Sequence, residues 1–481
     1  MAIVDPSELL GVLRGYNPWW RGDREDVPQS RRMAYEKCRG YLTHPTLRRA
    51  VLLCGPRRVG KTTILQQLAN ELALGGQSTR RPESIFYLSL DNPFVKLATL
   101  PELLRLYHST IHPEGEPAVL LLDEIQYSRD WADHLKELVD HHPEYRVIAT
   151  GSASLIQEEG TLDRGVGRWI RVSIPTLSFY EFVHIQGEKE ADVPGDLRPR
   201  DLFGKSPAQL ADLAVRCRPL LPNFQRYLLV GGFPETARLE VGLAQRLLRE
   251  DVVERVLKRD MTALFGVRNV DDLERLFLYV CTHSGGILEV QTVATALGVS
   301  HTTVSNYLTI LDRTGLIYRL PPIHAGGKKT LKARYKVYLA DAALRNAVLL
   351  RGEEVLQNRD ELGGIVETAV LRHLHAYHFP ENPEIGYWKD SAAKKEVDIV
   401  IRGPSYNIAV EVKYESPAPL SSKEGICAYC SQETVTQAYW VTRADGDFSL
   451  ESCGRPPTPI LRIPAHIFTY LLGQAERLPA G

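Results

Sequence analysis

The sequence predicts a multidomain α/β protein, and three stretches carry that prediction. AVLLCGPRRVGKTTILQQLANEL (50–72) runs a buried-strand pattern through a glycine loop into an amphipathic helix. VQTVATALGVSHTTVSNYLTILDR (290–313) reads as helix, tight turn, helix. KKEVDIVIRGPSYNIAVEVKY (394–414) reads as two apolar strands joined by a Gly-Pro-Ser turn, with charges set into the strands. At 481 residues the chain is too long for one core, so these stretches belong to separate domains.

Composition excludes several classes. With 44% hydrophobic and 24% charged residues and no low-complexity tract, the chain is globular. A formal net charge of −1 gives no global pull on nucleic acid, so such binding must come from local patches. No apolar run approaches a bilayer span and the start MAIVDPSELLGVLRGYN is no secretory leader, so a cytoplasmic protein without a membrane partner is expected. Seven scattered cysteines suggest reduced thiols.

The first stretch places Gly55, Pro56, Arg57, Arg58, Val59, Gly60, Lys61, Thr62 and Thr63 between an apolar strand and a helix containing Leu65, Leu68 and Leu72. Glycines let the backbone curl so that its N–H groups and the helix N-terminus face phosphates. Lys61 is expected to reach the β and γ phosphates of ATP, and the Thr62 hydroxyl to sit on Mg²⁺. Downstream, Val119 to Leu122 form an apolar strand ending in Asp123-Glu124. The aspartate can hold Mg²⁺ through water and Glu124 can polarise the attacking water. A further strand, Val147 to Ala149, ends in Thr150 and Ser152, which can sense the γ-phosphate; Ser152 can equally cap a helix.

With LSFYEF (177–182) and YLLVGGFPE (227–235), these motifs resemble the AAA+-type ATPases of the archaeal and bacterial group with a C-terminal DUF4143 region, similar to STAND and related P-loop branches. The resemblance runs from NPWW (17–20) to about residue 415. It implies that Pro234 lies near the adenine in a helical lid, unless Gly231-Gly232 is a simple interhelix turn. It also implies an arginine finger, Arg164 or Arg168, reaching a neighbour's nucleotide, and hence a homo-oligomeric ring, a hexamer being favoured. Either arginine can instead pair with a surface carboxylate. The two tryptophans after Pro18 should dock the N-terminal arm on the core, and by analogy Arg31 or Arg32 lies near the nucleotide.

Residues 187–222, rich in Pro, Gly and charge, read as an insertion or linker, and a helical lid follows. Beyond it, helices at Leu273–Cys281, Gln291–Leu297 and Thr302–Arg313 form a helix-turn-helix pattern with Val304, Tyr307, Leu308 and Leu311 facing inward. His301, Thr302, Thr303, Ser305 and Asn306 can then meet DNA, and a two-stranded wing supplies Lys328, Lys329, Lys332, Arg334 and Lys336. Such modules also bind proteins.

In the C-terminal region the order helix, three strands, helix, strand is that of the PD-(D/E)xK nuclease fold. Glu367 would lie on the helix, Asp398 on the second strand, and Glu411, Val412 and Lys413 on the third. Asp398, Glu411 and the Val412 carbonyl could bind a second Mg²⁺ or Mn²⁺ while Lys413 orients water. A carboxylate inside Val397-Asp398-Ile399-Val400 is disfavoured unless it coordinates something. The alternative is a charged hairpin facing solvent. Cys427, Cys430, Cys453 and His466 match no common zinc spacing, and His141, His142, His373, His375 and His378 read as surface or half-buried residues.

The expected architecture is an N-terminal arm (1–48), a P-loop AAA+-type core (49–186), a linker and helical lid (187–265), a winged helix (266–340) and a nuclease-like domain (341–481). The expected function is an ATP-hydrolysing, ring-forming ATPase that translocates on or remodels DNA. Two alternatives are a STAND-like switch that binds a protein partner and an ATP-licensed metal-dependent endonuclease.

Overall fold

Short runs rich in Val, Leu and Ile make the first sheet, buried on both faces except at the edge strand β5: β1 (Ala50–Cys54), β2 (Ile85–Ser89), β3 (Ala118–Asp123), β4 (Tyr145–Gly151) and β5 (Trp169–Ser173). All pair parallel in the order β2-β3-β4-β1-β5, the arrangement that burial on both faces favours. Helices α1 (Pro6–Tyr16), α2 (Met33–Thr43), α3 (Lys61–Leu74), α4 (Leu100–Thr110) and α5 (Trp131–His141) complete this part. Because the strands are parallel, their carboxyl ends share one edge of the sheet. Strand β1 ends between β4 and β5, at a switch point where α/β sheets hold ligands.

This is a computed structural model describing residues 5–75, 80–152, 167–323, 334–390, 394–415, 419–454 and 457–478. Arg164, Lys328, Lys329 and Lys332 lie outside the described residues. The chain forms two compact units, residues 1–175 with 313–315 and residues 176–312 with 316–481.

In the first unit the N-terminal arm covers the open edge of β2. Asn17 donates to the carbonyls of Tyr87 (2.9 Å) and Leu13 (2.7 Å) and accepts the Tyr87 N–H (2.7 Å). Both Trp19 and Trp20 donate to the Ile85 carbonyl, at 2.9 and 3.0 Å. An edge strand with these groups exposed would be a template for unwanted pairing, and the arm removes it.

The second unit opens with α6 (Phe179–Gln186), capped by Ser178 and Glu181. Its Phe179 ring meets Phe224 and Tyr227, so LSFYEF belongs to this unit, which begins at Thr176, ahead of residue 186. The stretch expected to be a linker holds α7 (Pro207–Cys217), capped by Ser206 and Gln209 and burying Leu210, Leu213, Ala214 and Cys217. Pro207, which reads as a breaker, starts that helix, where a missing N–H costs nothing. Next come α8 (Leu221–Val230) and α9 (Val241–Leu247), which continues as π-helix to Asp260 and into α10 (Met261–Phe265).

The following elements are α11 (Val270–Thr282), β6 (Gly286–Leu288), α12 (Val290–Leu297), α13 (His301–Arg313), β7 (Ile317–Leu320) and β8 (Tyr335–Leu339), with an antiparallel sheet ordered β6-β8-β7. Val304, Leu308 and Leu311 are buried as the spacing requires, whereas Tyr307 is half-exposed and bonds the Asn269 carbonyl.

After α14 (Ala342–Leu349) and α15 (Arg359–His378) come β9 (Glu384–Asp390), β10 (Lys395–Arg402), β11 (Asn407–Val412), α16 (Gly425–Gln432), β12 (Gln437–Thr442), β13 (Ser449–Cys453), β14 (Thr458–Pro464) and α17 (Ala465–Ala475). The sheet is ordered β13-β14-β12-β11-β10-β9. Strands β13 and β14 go beyond the expected order, because Gly454, Pro456, Pro457 and Pro459 disguise them as loop.

Two further expectations change. Cys427 forms a disulfide with Cys453 (Cα–Cα 5.5 Å), so the thiols are not all reduced; the other five are free and buried. His373 is fully buried rather than superficial, accepting the Phe179 N–H at 2.7 Å, and burial pushes its pKa well below the usual range.

Replacing Asn17 by Ala strips the buried Tyr87 peptide of both partners on the sheet edge. We expect the first unit to lose about 2–3 kcal/mol, measured as a lower urea midpoint with an unchanged m-value.

Candidate functional site

The glycine loop leaves β1 at Gly55, where a Cβ would stand 2.0 Å from the Ile174 carbonyl oxygen, so only glycine fits. Gly60, at φ 94°, turns the chain into α3. Arg58 also takes a positive φ (63°), and is exposed. Val59 is fully buried and anchors the loop, Pro56 and Arg57 are half-buried, and Arg57 donates to the Tyr127 hydroxyl at 3.2 Å. The Lys61 ammonium donates to the Gly55 and Pro56 carbonyls at 3.0 and 2.8 Å, aligned along the inside of the loop. Thr62 and Thr63 lie in the first turn of α3, whose N–H groups have no intrahelical partners to satisfy them.

Asp123 organises the adjoining strand ends. It is 2% exposed, and burial followed by the neighbouring Glu124 pushes its pKa up. Hydroxyls oppose that: Thr62 donates to Oδ2 at 2.7 Å, Tyr87 to Oδ2 at 3.1 Å, and Thr150 to Oδ1. The Thr150 hydroxyl also accepts the Glu124 N–H at 2.9 Å, tying the two acidic residues to β4. Glu124 adopts φ 54°, is half-buried, and accepts from the Gln126 amide. Ser152, just past β4, is half-buried.

Of the two arm arginines, Arg32 reaches the loop: buried, it donates to the Val59 carbonyl and to the Pro175 carbonyl at 3.0 Å. Arg31 pairs with Glu71 at 2.9 Å instead. Arg168 precedes β5 and its carbonyl accepts the Ala50 N–H, which puts it on the sheet edge opposite the glycine loop. Its guanidinium grips Asp140 at 2.9 and 3.0 Å. Pro234 lies in the second unit, in the turn after α8. That turn is tightly built: the Gly232 N–H donates to Asp341 at 2.9 Å, and a Cβ on Gly231 or Gly232 would come within 2.5 Å of Asp341 or 2.6 Å of Leu177.

The Thr62 hydroxyl and Asp123 carboxylate are adjacent hard oxygen donors and fit Mg²⁺ beside a bound triphosphate, where the ion would neutralise charge on the β and γ oxygens.

On α13, Ser300 caps the helix by accepting the Thr303 N–H at 3.0 Å. His301, Thr302 and Asn306 are exposed, and Thr303 and Ser305 are half-exposed. Arg334 pairs at the surface with Glu289 at 2.9 Å.

At the C-terminal sheet Glu367, Asp398, Glu411 and Lys413 come together, joined by Lys336 and Glu396. Lys336, on β8, is 2% exposed, and its ammonium lies 2.9 Å from Glu367, 3.0 Å from Glu396 and 2.7 Å from Asp398. The second Asp398 oxygen accepts the Val412 N–H at 2.9 Å. Glu411 accepts the Ile426 N–H (2.9 Å) and pairs with Lys413 at 3.3 Å. Tyr338 donates to Glu367. Burial, then the Asp398 charge, push Glu367 and Glu411 each up to about 7. Burial would raise Asp398 too, but Lys336 and the Val412 N–H hold it below the usual range. Lys336 is held well above its own, the carboxylates outweighing burial. Unlike Asp123, whose partners are neutral hydroxyls, the Asp398 carboxylate is paired with a buried ammonium. Among the described residues no group of three or more His, Cys, Asp or Glu is arranged to hold one.

Sequence reasoning missed Tyr87 and counted Lys336 among the exposed basic residues of the wing, whereas it is buried against three carboxylates. The signal for Lys336 was present: a lysine inside Tyr335-Lys336-Val337-Tyr338-Leu339 is as anomalous as Asp398 in its strand.

A parallel sheet with a glycine loop at its switch point, and a buried Thr–Asp–Thr chain behind it, defines a P-loop ATPase. Residues 47–183 match the AAA domain family, residues 221–355 a domain of unknown function (DUF8612), and residues 362–463 a domain of unknown function (DUF4143). Residues 47–183 are thus an AAA-type P-loop ATPase domain, and the chain carries a C-terminal DUF4143 domain. It is 24% identical over 375 residues to an uncharacterized protein of Haemophilus influenzae, covering 76% of this chain and 82% of that one. An uncharacterized protein of Methanocaldococcus jannaschii is 26% identical over 402 residues, 79% of each chain. Among solved structures, the Walker-type ATPase of Pyrococcus abyssi is similar at TM-score 0.36 and 14% identity, over 69% of this chain and 99% of that one. Among the described residues no helix is long and apolar enough to cross a membrane.

Glu411 supplies a pH test. Its pKa in the fold, about 7, lies above the ordinary 4.5, so the protonated form favours folding. That contribution is intact below 4.5 and lost as pH rises through about 7. Glu411→Gln should therefore melt a few degrees higher than wild type at pH 8, with the difference vanishing near pH 4.5, followed by thermal denaturation.

Proposed function

We propose that this protein is a ring-forming, ATP-driven ATPase that binds DNA and translocates on it or remodels it. The observation that carries the DNA part is α13: it follows α12 after a three-residue turn, buries Val304, Leu308 and Leu311, and leaves His301, Thr302 and Asn306 at its exposed N-terminal end. Polar side chains on a helix N-terminus suit phosphates and base edges. The basic residues between Arg319 and Lys336 in the sequence, Lys328, Lys329 and Lys332 among them, add local positive charge to a chain that has almost none in net. In this reading residues 266–340 are a winged helix and 341–481 a nuclease-like fold, following the arm and lid divisions at 48 and 265.

Catalysis is assigned as follows. Lys61 and the loop N–H groups bind the β and γ phosphates, Glu124 orients water and takes its proton, and Thr150 holds Glu124 and Asp123 in register. Arg168, remote from its own loop, would serve a neighbouring subunit after leaving Asp140, and Pro234 would face the adenine.

ATP turnover with and without forked DNA tests the reading. We expect severalfold stimulation, and about tenfold weaker DNA binding in a His301→Ala/Asn306→Ala variant. Slow turnover indifferent to DNA would favour a nucleotide-dependent switch with a protein partner.

A further inference from the structure

Lys336 sits against Asp398, one of the residues expected to ligate a metal, and against Glu367 beside it. Its ammonium is enclosed by one oxygen each from Glu367, Glu396 and Asp398, at 2.9, 3.0 and 2.7 Å. Those are charge-assisted hydrogen-bond distances, and the same oxygens would have to close to between about 2.0 and 2.6 Å around Mg²⁺ or Ca²⁺. The lysine is fixed from both ends. Its backbone is paired between β6 and β7, Ile287 and Leu320 being its neighbours in register. Two residues along the same strand face, Tyr338 donates to Glu367 and so fixes the carboxylate that faces the ammonium. Of the other carboxylate oxygens, Asp398 takes the Val412 N–H, Glu396 takes Lys389 at 3.2 Å, and Glu411 takes the Ile426 N–H and Lys413.

We infer that the Lys336 ammonium takes the place of the catalytic metal, so that the Asp398–Glu411 centre binds no divalent cation and cuts no DNA. A buried monocation satisfies the carboxylates electrostatically but offers no open coordination position for water or a phosphate oxygen. The ammonium donates to Asp398 at 2.7 Å and pairs with Glu367 and Glu396 at 2.9 and 3.0 Å. The centre therefore acts as a clamp joining β8 to α15 and β10, three elements distant in sequence. The inference rests on the nuclease-like reading of the C-terminal sheet but not on the ATP cycle, so it can fail while DNA-stimulated turnover stands, and the reverse.

The test is a Mn²⁺ titration of the nucleotide-free full-length chain, followed by the electron paramagnetic resonance signal of free Mn²⁺. Wild type and Asp398→Asn should bind Mn²⁺ indistinguishably, and neither should shorten end-labelled DNA in Mn²⁺. Lys336→Met, which keeps the stem and removes the charge, should gain about one Mn²⁺ per chain, and the gain should vanish in Lys336→Met/Asp398→Asn. Mn²⁺ binding or DNA cleavage by wild type that Asp398→Asn abolishes would overturn the inference. So would a folded Lys336→Met chain that gains no site. Should Lys336→Met fail to fold, the comparison of wild type with Asp398→Asn still decides.

Discussion

The buried carboxylate of Asp123 is the constraint around which the ATPase unit is arranged. A charge at 2% exposure is tolerable only with donors on every side, and the fold draws them from three elements: Thr62 from the start of α3, Tyr87 from β2 and Thr150 from β4. Those elements are neighbours because the strand order brings β2 and β4 to the two sides of β3. Satisfying Asp123 thus also fixes the glycine loop, through Thr62, and the Glu124 backbone, through Thr150. The N-terminal arm contributes from outside the sheet, with Arg32 on the Val59 carbonyl and Asn17 on the edge of β2.

The C-terminal sheet solves the same problem differently, and the difference bears on chemistry. Asp123 is held by neutral hydroxyls, each worth about 1.5–3 kcal/mol net, which can turn to other acceptors when a divalent ion takes the carboxylate. Asp398 is held by a buried ammonium, and breaking such a pair costs about 3–5 kcal/mol before any metal is bound. The charge of the partners, more than the presence of the carboxylates, separates a site open to a metal from one closed to it.

Much of the ATP site was legible in the sequence because its signals are local. Gly55, Gly60, Lys61 and Thr62 lie in one loop, and Asp123-Glu124 at the end of one apolar strand, so each is seen in its own context. What was not legible depends on residues far apart in the chain. Lys336 is 62 residues from Asp398, and only the fold shows that one cancels the other. Arg168 finds Asp140 28 residues away, and Cys427 finds Cys453, by the same kind of closure. Strands β13 and β14 and helix α7 were hidden by prolines that punctuate loops in most sequences but here begin a helix or sit beside a pairing edge.

The most direct test of the central claim, that Thr150 couples Asp123 to Glu124, is single-turnover ATP hydrolysis by Thr150→Val and Thr150→Ser. The account predicts that Val keeps ATP binding but slows hydrolysis about hundredfold, and that Ser, which restores the hydroxyl, recovers most of the rate. Wild-type hydrolysis in Thr150→Val would contradict it.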